Sequence, residues 1–267
     1  MKLETILIVG CGNMGGAMLE GWIAGSVAAS RFTVVDPYLE TVPAGVTLRR
    51  VLPESCFDAI LLGVKPQGLD TVAPGLQSLA GRETVVMSIL AGVEFDSLAA
   101  RFPHARALVR IMPNLAARIG KSPIALDSRG LDETGRAAVT ALMQPLGTPE
   151  WLADERLFDA VTALSGCGPA FVYRFIDSLE AGAVALGIDA DQARRLAVAM
   201  VEGAAQLAAA SDMSPGELAD RVASPGGSTR AGLDVLDRDA ALAEVVARAM
   251  TASRDRNAEM ASEARSS

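Results

Sequence analysis

Ile6-Leu7-Ile8-Val9 runs directly into Gly10-Cys11-Gly12-Asn13-Met14-Gly15, an apolar strand that breaks into a G-x-G-x-x-G turn and resumes as a helix. Those residue types at that spacing suit a nucleotide pyrophosphate. The first glycine permits the tight turn, the second lets the backbone approach the phosphates, and the third lets helix and strand pack closely; the open N–H groups of the helix start face the anion. Glycine-rich strand-to-helix turns also arise for packing alone, so the position directly after a buried strand gives the pattern its weight. Asp36 closes the next apolar run, Phe32-Thr33-Val34-Val35, where an acidic side chain about twenty residues on commonly accepts hydrogen bonds from the adenosine ribose. A loop aspartate chosen for turn geometry before Pro37 is the alternative.

A second stretch with chemical potential lies far along the chain, at Ser224-Pro225-Gly226-Gly227-Ser228-Thr229. Two adjacent glycines flanked by hydroxyl residues at a helix start bring backbone N–H groups and side-chain donors into one small volume, which suits a carboxylate. A Ser/Thr-capped loop between two helices would have the same composition.

The elements that must hold these residues are legible as apolar runs. Residues 58–64, 84–89 and 107–111 are apolar on both faces and alternate with helical segments, beginning with a helix over residues 13–24. That pattern predicts a parallel sheet covered on both sides, the Rossmann-like arrangement of an α/β domain. Loops after parallel strands share one edge of the sheet, where such folds bind ligands. Residues 10–15, Asp36, Val64-Lys65-Pro66, Ala91-Gly92 and Met112-Pro113-Asn114 should therefore converge, with Lys65 either in the site or simply solvated. Further strands are expected at 123–126 and 150–152, with a helix over 132–143 between them. Beyond residue 154 only helices are expected, dividing the chain into a dinucleotide-binding domain, 1–160, and an all-helical domain, 161–267. Ser214-Pro215-Gly216-Glu217 is a capping box that starts one of those helices. Another, residues 189–210, is apolar nearly all round over 196–210. A helix without a polar face must be covered on every side, so a second copy of the chain is expected against it. The polar end, residues 263–267, is expected to be disordered.

Composition narrows the class. A net charge of −8 argues against a nucleic-acid partner, whose phosphates demand a basic face. The three cysteines, Cys11, Cys56 and Cys167, are widely spaced without a C-x-x-C, which suggests neither a disulfide framework nor a metal site and fits a reducing cytoplasm. The first apolar run is too short for a signal peptide, and no run reaches the roughly 18 apolar residues of a membrane span.

Asn13-Met14-Gly15, Val64-Lys65-Pro66, Met112-Pro113-Asn114, Ser165-Gly166-Cys167-Gly168-Pro169-Ala170 and above all Ser224-Pro225-Gly226-Gly227-Ser228-Thr229 resemble, in the same order, the pyrroline-5-carboxylate reductase family. The resemblance implies hydride transfer from NADH or NADPH to the imine carbon of 1-pyrroline-5-carboxylate, giving L-proline as the last step of proline biosynthesis. It implies a cofactor site at Gly10, Gly12, Asn13, Met14, Gly15, Asp36, Val64, Lys65, Pro66, Ala91, Gly92 and Asn114. Ser224, Gly226, Gly227 and Ser228 would hold the substrate carboxylate, and Thr229, also a substrate contact, would donate to the ring nitrogen as the catalytic residue. It also implies a helical dimerisation domain, with dimers assembling into larger rings. Leu115-Ala116 departs from the frequent threonine-proline of the family, and Asp36 stands where the NADPH 2′-phosphate is usually received; its charge favours NADH unless Arg49 or Arg50 offsets it. The single histidine, His104, follows Pro103 in a loop and is read as structural or solvated. Two other readings are weighed. A dehydrogenase or imine reductase for another small carboxylated substrate is one; a hydroxy-acid enzyme would carry a lysine on the helix after Gly168, and none is present. A non-catalytic dinucleotide sensor is the other, and it would have no use for the donor cluster at 224–229.

Overall fold

The computed structural model describes the backbone of residues 1–266, and every side chain within it except those of residues 261 and 263–266. Eight strands form one sheet in the order β3-β2-β1-β4-β5-β6-β7-β8. They are β1 Ile6–Val9, β2 Phe32–Val35, β3 Thr47–Arg49, β4 Ala59–Leu62, β5 Val85–Ser88, β6 Ala107–Met112, β7 Ser122–Arg129 and β8 Gly147–Trp151. The central strand β1 pairs in parallel with β2 on one side and β4 on the other, and all four of its residues are buried. Helices cover both faces: α1 Asn13–Ala24, α2 Leu69–Leu76, α3 Phe95–Arg101 and α4 Glu133–Met143, followed by the short α5 Phe158–Val161. The two larger apolar clusters lie one on each face: Ile6, Ile8 and Trp22 belong to the first, Leu7, Val9 and Phe95 to the second. Trp22 stacks on Phe32 and donates its indole N–H to the Leu142 carbonyl at 2.7 Å, so the bulkiest core side chain is also polar-satisfied.

Two features depart from the sequence reading. β3 is a strand that no apolar pattern announced, because its three residues lie at the sheet edge and only Leu48 is even partly covered. β7 runs antiparallel to β6. Residues 113–121 between them hold only a 3-10 turn, Leu115–Ile119, and a parallel return would need a crossover of a dozen residues or more.

The chain divides into two compact units, Met1–Gly166 with Ser253–Ser267, and Cys167–Ala252. The second holds α6 Gly168–Ala185, α7 Ala190–Ala210, α8 Pro215–Arg221, α9 Ser228–Asp237 and the first part of α10 Ala241–Ser266. The end of α10 thus belongs with the sheet rather than with the helices: Asn257, buried, donates its carboxamide N–H to Asp159. The stretch beyond residue 263, expected to be disordered, is helical in its backbone through Ser266, and Ser267 lies outside the described residues. Within the helical unit α6 packs on α7, Asp189 caps α7 by accepting from the Gln192 N–H, and the capping box at Ser214 and Glu217 is complete in both directions. That unit has little interior. Of α7 only Ala193 and Ala197 are buried, while Met200 is 51% and Leu207 71% exposed.

Candidate active site

At the C-terminal ends of β1 and β4, the glycine turn is built against its neighbours at close quarters. Gly10 has φ +80°, and its N–H continues the sheet pairing to the Val35 carbonyl at 2.9 Å. A Cβ on Gly10 would lie 2.8 Å from the Val64 amide nitrogen, and one on Gly63 would come within 3.0 Å of the Gly10 carbonyl oxygen. Gly15 sits against that same carbonyl, 3.1 Å from where its Cβ would be. Gly12 differs: a Cβ there meets no protein atom within 4 Å. Packing explains Gly10, Gly15 and Gly63, whereas nothing crowds Gly12, the N-cap of α1, which leaves open space over the helix start. The first helical bond of α1 runs from Gly16 to the Gly12 carbonyl, and no side chain caps the helix, so the N–H groups of Asn13, Met14 and Gly15 have no intrahelical acceptor. An anion at this helix start would find donors and a favourable dipole. The cradle therefore fits a dinucleotide pyrophosphate.

Asp36 is bound on both oxygens. Oδ2 accepts from the Cys11 N–H at 2.9 Å, and Oδ1 accepts from the N–H groups of Tyr38 and Leu39 at 2.9 and 3.0 Å. Burial alone would raise its pKa, but those three backbone donors, with Arg50 nearby, hold it below the ordinary aspartate value. The side chain thus keeps its charge while tying the glycine turn to the loop after β2. Oδ1 has both lone-pair sites taken, whereas Oδ2, with one bond, retains acceptor capacity for a ribose hydroxyl. Arg50 donates to the carbonyls of Asp36, at 2.8 Å, and Leu39, which sets a cation beside that carboxylate. Cys11 is inert here: burial, with Asp36 and Glu20 close by, pushes its thiol up to about 11. Gly10, Gly12, Asp36, Val64 and Lys65 line one cavity of about 800 Å³, together with Arg50, Tyr38, Val51, Leu52, Thr71 and Val72.

The second stretch lies in the helical unit. Gly227 donates its N–H to the Ser224 carbonyl at 3.0 Å across Pro225 and Gly226, and Gly226 has φ +72°. Proline followed by a left-handed glycine is the chemistry of a type II turn. The turn delivers the chain into α9, whose N-cap, Gly227, provides no side-chain cap, and whose first helical bond runs from Ala231 to the Gly227 carbonyl. The N–H groups of Ser228, Thr229 and Arg230 are left without intrahelical acceptors. Arg230 instead sends its side chain to Asp220 at 2.6 Å, pinning α9 to α8. Ser224, Ser228 and Thr229 are exposed, and among the described residues their hydroxyls have no hydrogen-bond partner. A set of unsatisfied donors around one helix start can hold a carboxylate, and it does nothing for the fold of this unit.

Residues 155–260 match the family model described as pyrroline-5-carboxylate reductase dimerisation. The chain is 36% identical to the pyrroline-5-carboxylate reductase of Methanosarcina acetivorans over 247 residues, 89% of this chain and 91% of that one. To the enzyme of the same name from Pseudomonas aeruginosa it is 32% identical over 269 residues, with 98% of each chain covered. The structure of a pyrroline-5-carboxylate reductase from Coxiella burnetii superposes with a TM-score of 0.89 at 26% identity, covering 97% of this chain and 98% of that one. The chain belongs to the pyrroline-5-carboxylate reductase family. Its fold is that of the family: a Rossmann-like sheet domain with a helical unit. No helix among the described residues is long and apolar enough to cross a membrane.

The remaining expected site residues of this reductase separate into two groups. Lys65 is exposed on the rim of the large cavity, whereas Pro66 and Ala91 line a smaller one of about 460 Å³ next to it, and Gly92 makes the left-handed turn after β5. Asn114 lines neither of these two cavities. It is buried, its Oδ1 accepts from the Ala116 N–H and its Nδ2 donates to the Ser165 carbonyl, both at 2.9 Å. Sequence reasoning missed Leu52, Val51, Thr71 and Val72 as cavity walls. The clue available was the pair of apolar residues directly after Arg50, of which Val51 is 73% exposed and therefore not placed for the core.

Proposed function

We propose that this protein reduces the C=N bond of 1-pyrroline-5-carboxylate to give L-proline, using NADH or NADPH, as the last step of proline biosynthesis. What carries this reading is likeness over the whole chain to enzymes of that name, with the 224–229 loop intact. In the proposed division of labour, Gly10, Gly12, Asn13, Met14 and Gly15 hold the pyrophosphate through backbone N–H groups. Asp36 receives a ribose, and Val64, Lys65, Pro66, Ala91 and Gly92 form the sheet edge on the nicotinamide side. Ser224, Gly226, Gly227 and Ser228 hold the substrate carboxylate, and Thr229 donates to the ring nitrogen. The bound nicotinamide supplies the hydride. A cyclic imine can be protonated near neutral pH before reduction, so orientation and one hydrogen bond replace the strong acid that a ketone would need. With Asp36 and Arg50 side by side at the ribose, a 2′-phosphate would meet both signs of charge, and both dinucleotides belong in the assay.

Purified protein is expected to oxidise NADH or NADPH on addition of 1-pyrroline-5-carboxylate and to form L-proline. Absence of turnover with either dinucleotide, in a folded sample that binds them, would discard the reading.

The helical unit makes this protein a homodimer. Its family model is a dimerisation model, and Val172, Tyr173, Leu196, Met200 and Leu207 are too apolar and too exposed for a free surface. Sedimentation is expected to show no stable monomer at micromolar concentration, and a monomer there would contradict this use of α7. We further propose that dimers assemble into larger rings and that the enzyme works in the cytoplasm, where its unpaired cysteines remain reduced.

A further inference from the structure

We propose that Asn114 is a positioning residue: its buried carboxamide supplies the hydrogen bond that Pro169 cannot give, and so fixes the turn from which α6 continues. This rests on the reductase reading above. Residues Phe158–Val161 and Gly168–Ala185 are α-helical, and Thr162–Gly166 between them is a π-helical turn. Along such a path the Ser165 carbonyl would accept from the residue four positions on. That residue is Pro169, which has no N–H. The next N–H, that of Ala170, already donates to the Cys167 carbonyl at 2.9 Å. Ser165 is buried, so water is a poor substitute for the missing donor. Asn114 Nδ2 takes the place at 2.9 Å.

Asn114 is itself held rigidly. Its N–H donates to Ser122 Oγ at 2.9 Å, its own carbonyl accepts from Ala117 at 3.0 Å, and its Oδ1 accepts from the Ala116 N–H. Met112-Pro113-Asn114 and Ser165-Gly166-Cys167-Gly168-Pro169-Ala170, two motifs 51 residues apart, are thus two halves of one device. The turn it fixes is the last of the sheet unit before the helical unit that carries the 224–229 loop.

The test compares Asn114→Ala and Asn114→Asp with wild type, after wild-type turnover has been shown, so that failure of the reductase reading is seen separately. Both variants are expected to keep NADH and NADPH dissociation constants, read by nicotinamide fluorescence, within about twofold. Their kcat/KM for 1-pyrroline-5-carboxylate is expected to fall at least about tenfold, as loss of orientation does. Pro169→Ala restores an N–H four positions after Ser165, and in the Asn114→Ala background it is expected to recover most of that loss, or to recover folding if Asn114→Ala alone does not fold. Three outcomes overturn the proposal: dinucleotide affinity falling in step with activity, which would make Asn114 a cofactor ligand; unchanged kinetics with only a lowered melting temperature; or a double variant as impaired as Asn114→Ala alone.

Discussion

Gly12→Ala is expected to fold with a stability loss of at most about 1 kcal/mol, yet bind NADH and NADPH about ten- to a hundredfold more weakly. The contrast lies inside one turn. A Cβ on Gly12 meets no protein atom within 4 Å, and φ there is −70°, outside the left-handed region that favours glycine. Glycine is the better N-cap of the two, and replacing it with alanine costs about 0.5–1 kcal/mol, at or below the low end of the 1–3 kcal/mol of a core clash. What the methyl group occupies is the space through which the α1 N–H groups reach an anion. Holding the phosphate further away weakens at least one hydrogen bond to a charged group, worth about 1.5–3 kcal/mol, which converts to roughly the stated factor. Gly63→Ala is the control of opposite kind. Its Cβ would press into the Gly10 carbonyl, backbone against backbone, so the ends of β1 and β4 must separate. A stability loss of about 1–3 kcal/mol is expected there, with the loss of binding following from it. Calorimetry and fluorescence titration of both variants decide the matter: if Gly12→Ala binds the dinucleotides as tightly as wild type, the pyrophosphate does not lie over residue 12.

Thr229→Ala should lower kcat for 1-pyrroline-5-carboxylate by about a hundredfold, the usual effect of removing one donor aimed at the reacting centre. Dinucleotide affinity should stay within about twofold, because the cofactor cradle lies in the sheet unit and the 224–229 loop in the helical one. The fold gives no reason for the hydroxyl. Thr229 is exposed in the second position of α9, its hydroxyl has no hydrogen-bond partner among the described residues, and alanine is the better helix former, so the variant should be no less stable. Thr229→Ser, which keeps the hydroxyl, should recover most of the rate. Full activity in Thr229→Ala would remove the hydrogen bond to the ring nitrogen from the mechanism. An increase in KM alone would move Thr229 to the carboxylate instead.

Much of this molecule was legible in its residues. α1 occupies the residues that the pattern after Gly12 marked, and β1, β2, β4, β5 and β6 lie where apolar runs placed them, because a strand buried on both faces leaves a continuous apolar record. The capping box at Ser214 and Glu217, the helix start within 224–229 and the lack of cover for α7 are likewise local, written in adjacent side chains or in one helix surface. The direction of β7 is recorded not in the strand's composition but in the short connection of residues 113–121, a signal the apolar pattern does not carry, and β3 left no signal because its edge residues have no apolar alternation.

The sequence by itself determined which elements form and which stretches have chemistry: residues 10–15 for an anion at a helix start, and 224–229 for a carboxylate. Tertiary structure decided what each polar group binds. Asp36 had to be seen with Cys11, Tyr38 and Leu39 on its oxygens before its charge was secure. Arg110 and Glu155, 45 residues apart, make an ion pair at 2.6 Å inside the sheet unit, and Glu155 also accepts from the Phe95 N–H at the start of α3. Asn257 had to be seen against Asp159 before the end of α10 could be assigned to the sheet unit. Asn114 is the clearest case: its motif marked a loop after β6, and only the fold shows its carboxamide donating to the Ser165 carbonyl. Apolar periodicity reports burial, which is a property of one segment. A hydrogen bond has two partners, and when they lie 50 or 100 residues apart only the folded chain brings them within 3 Å.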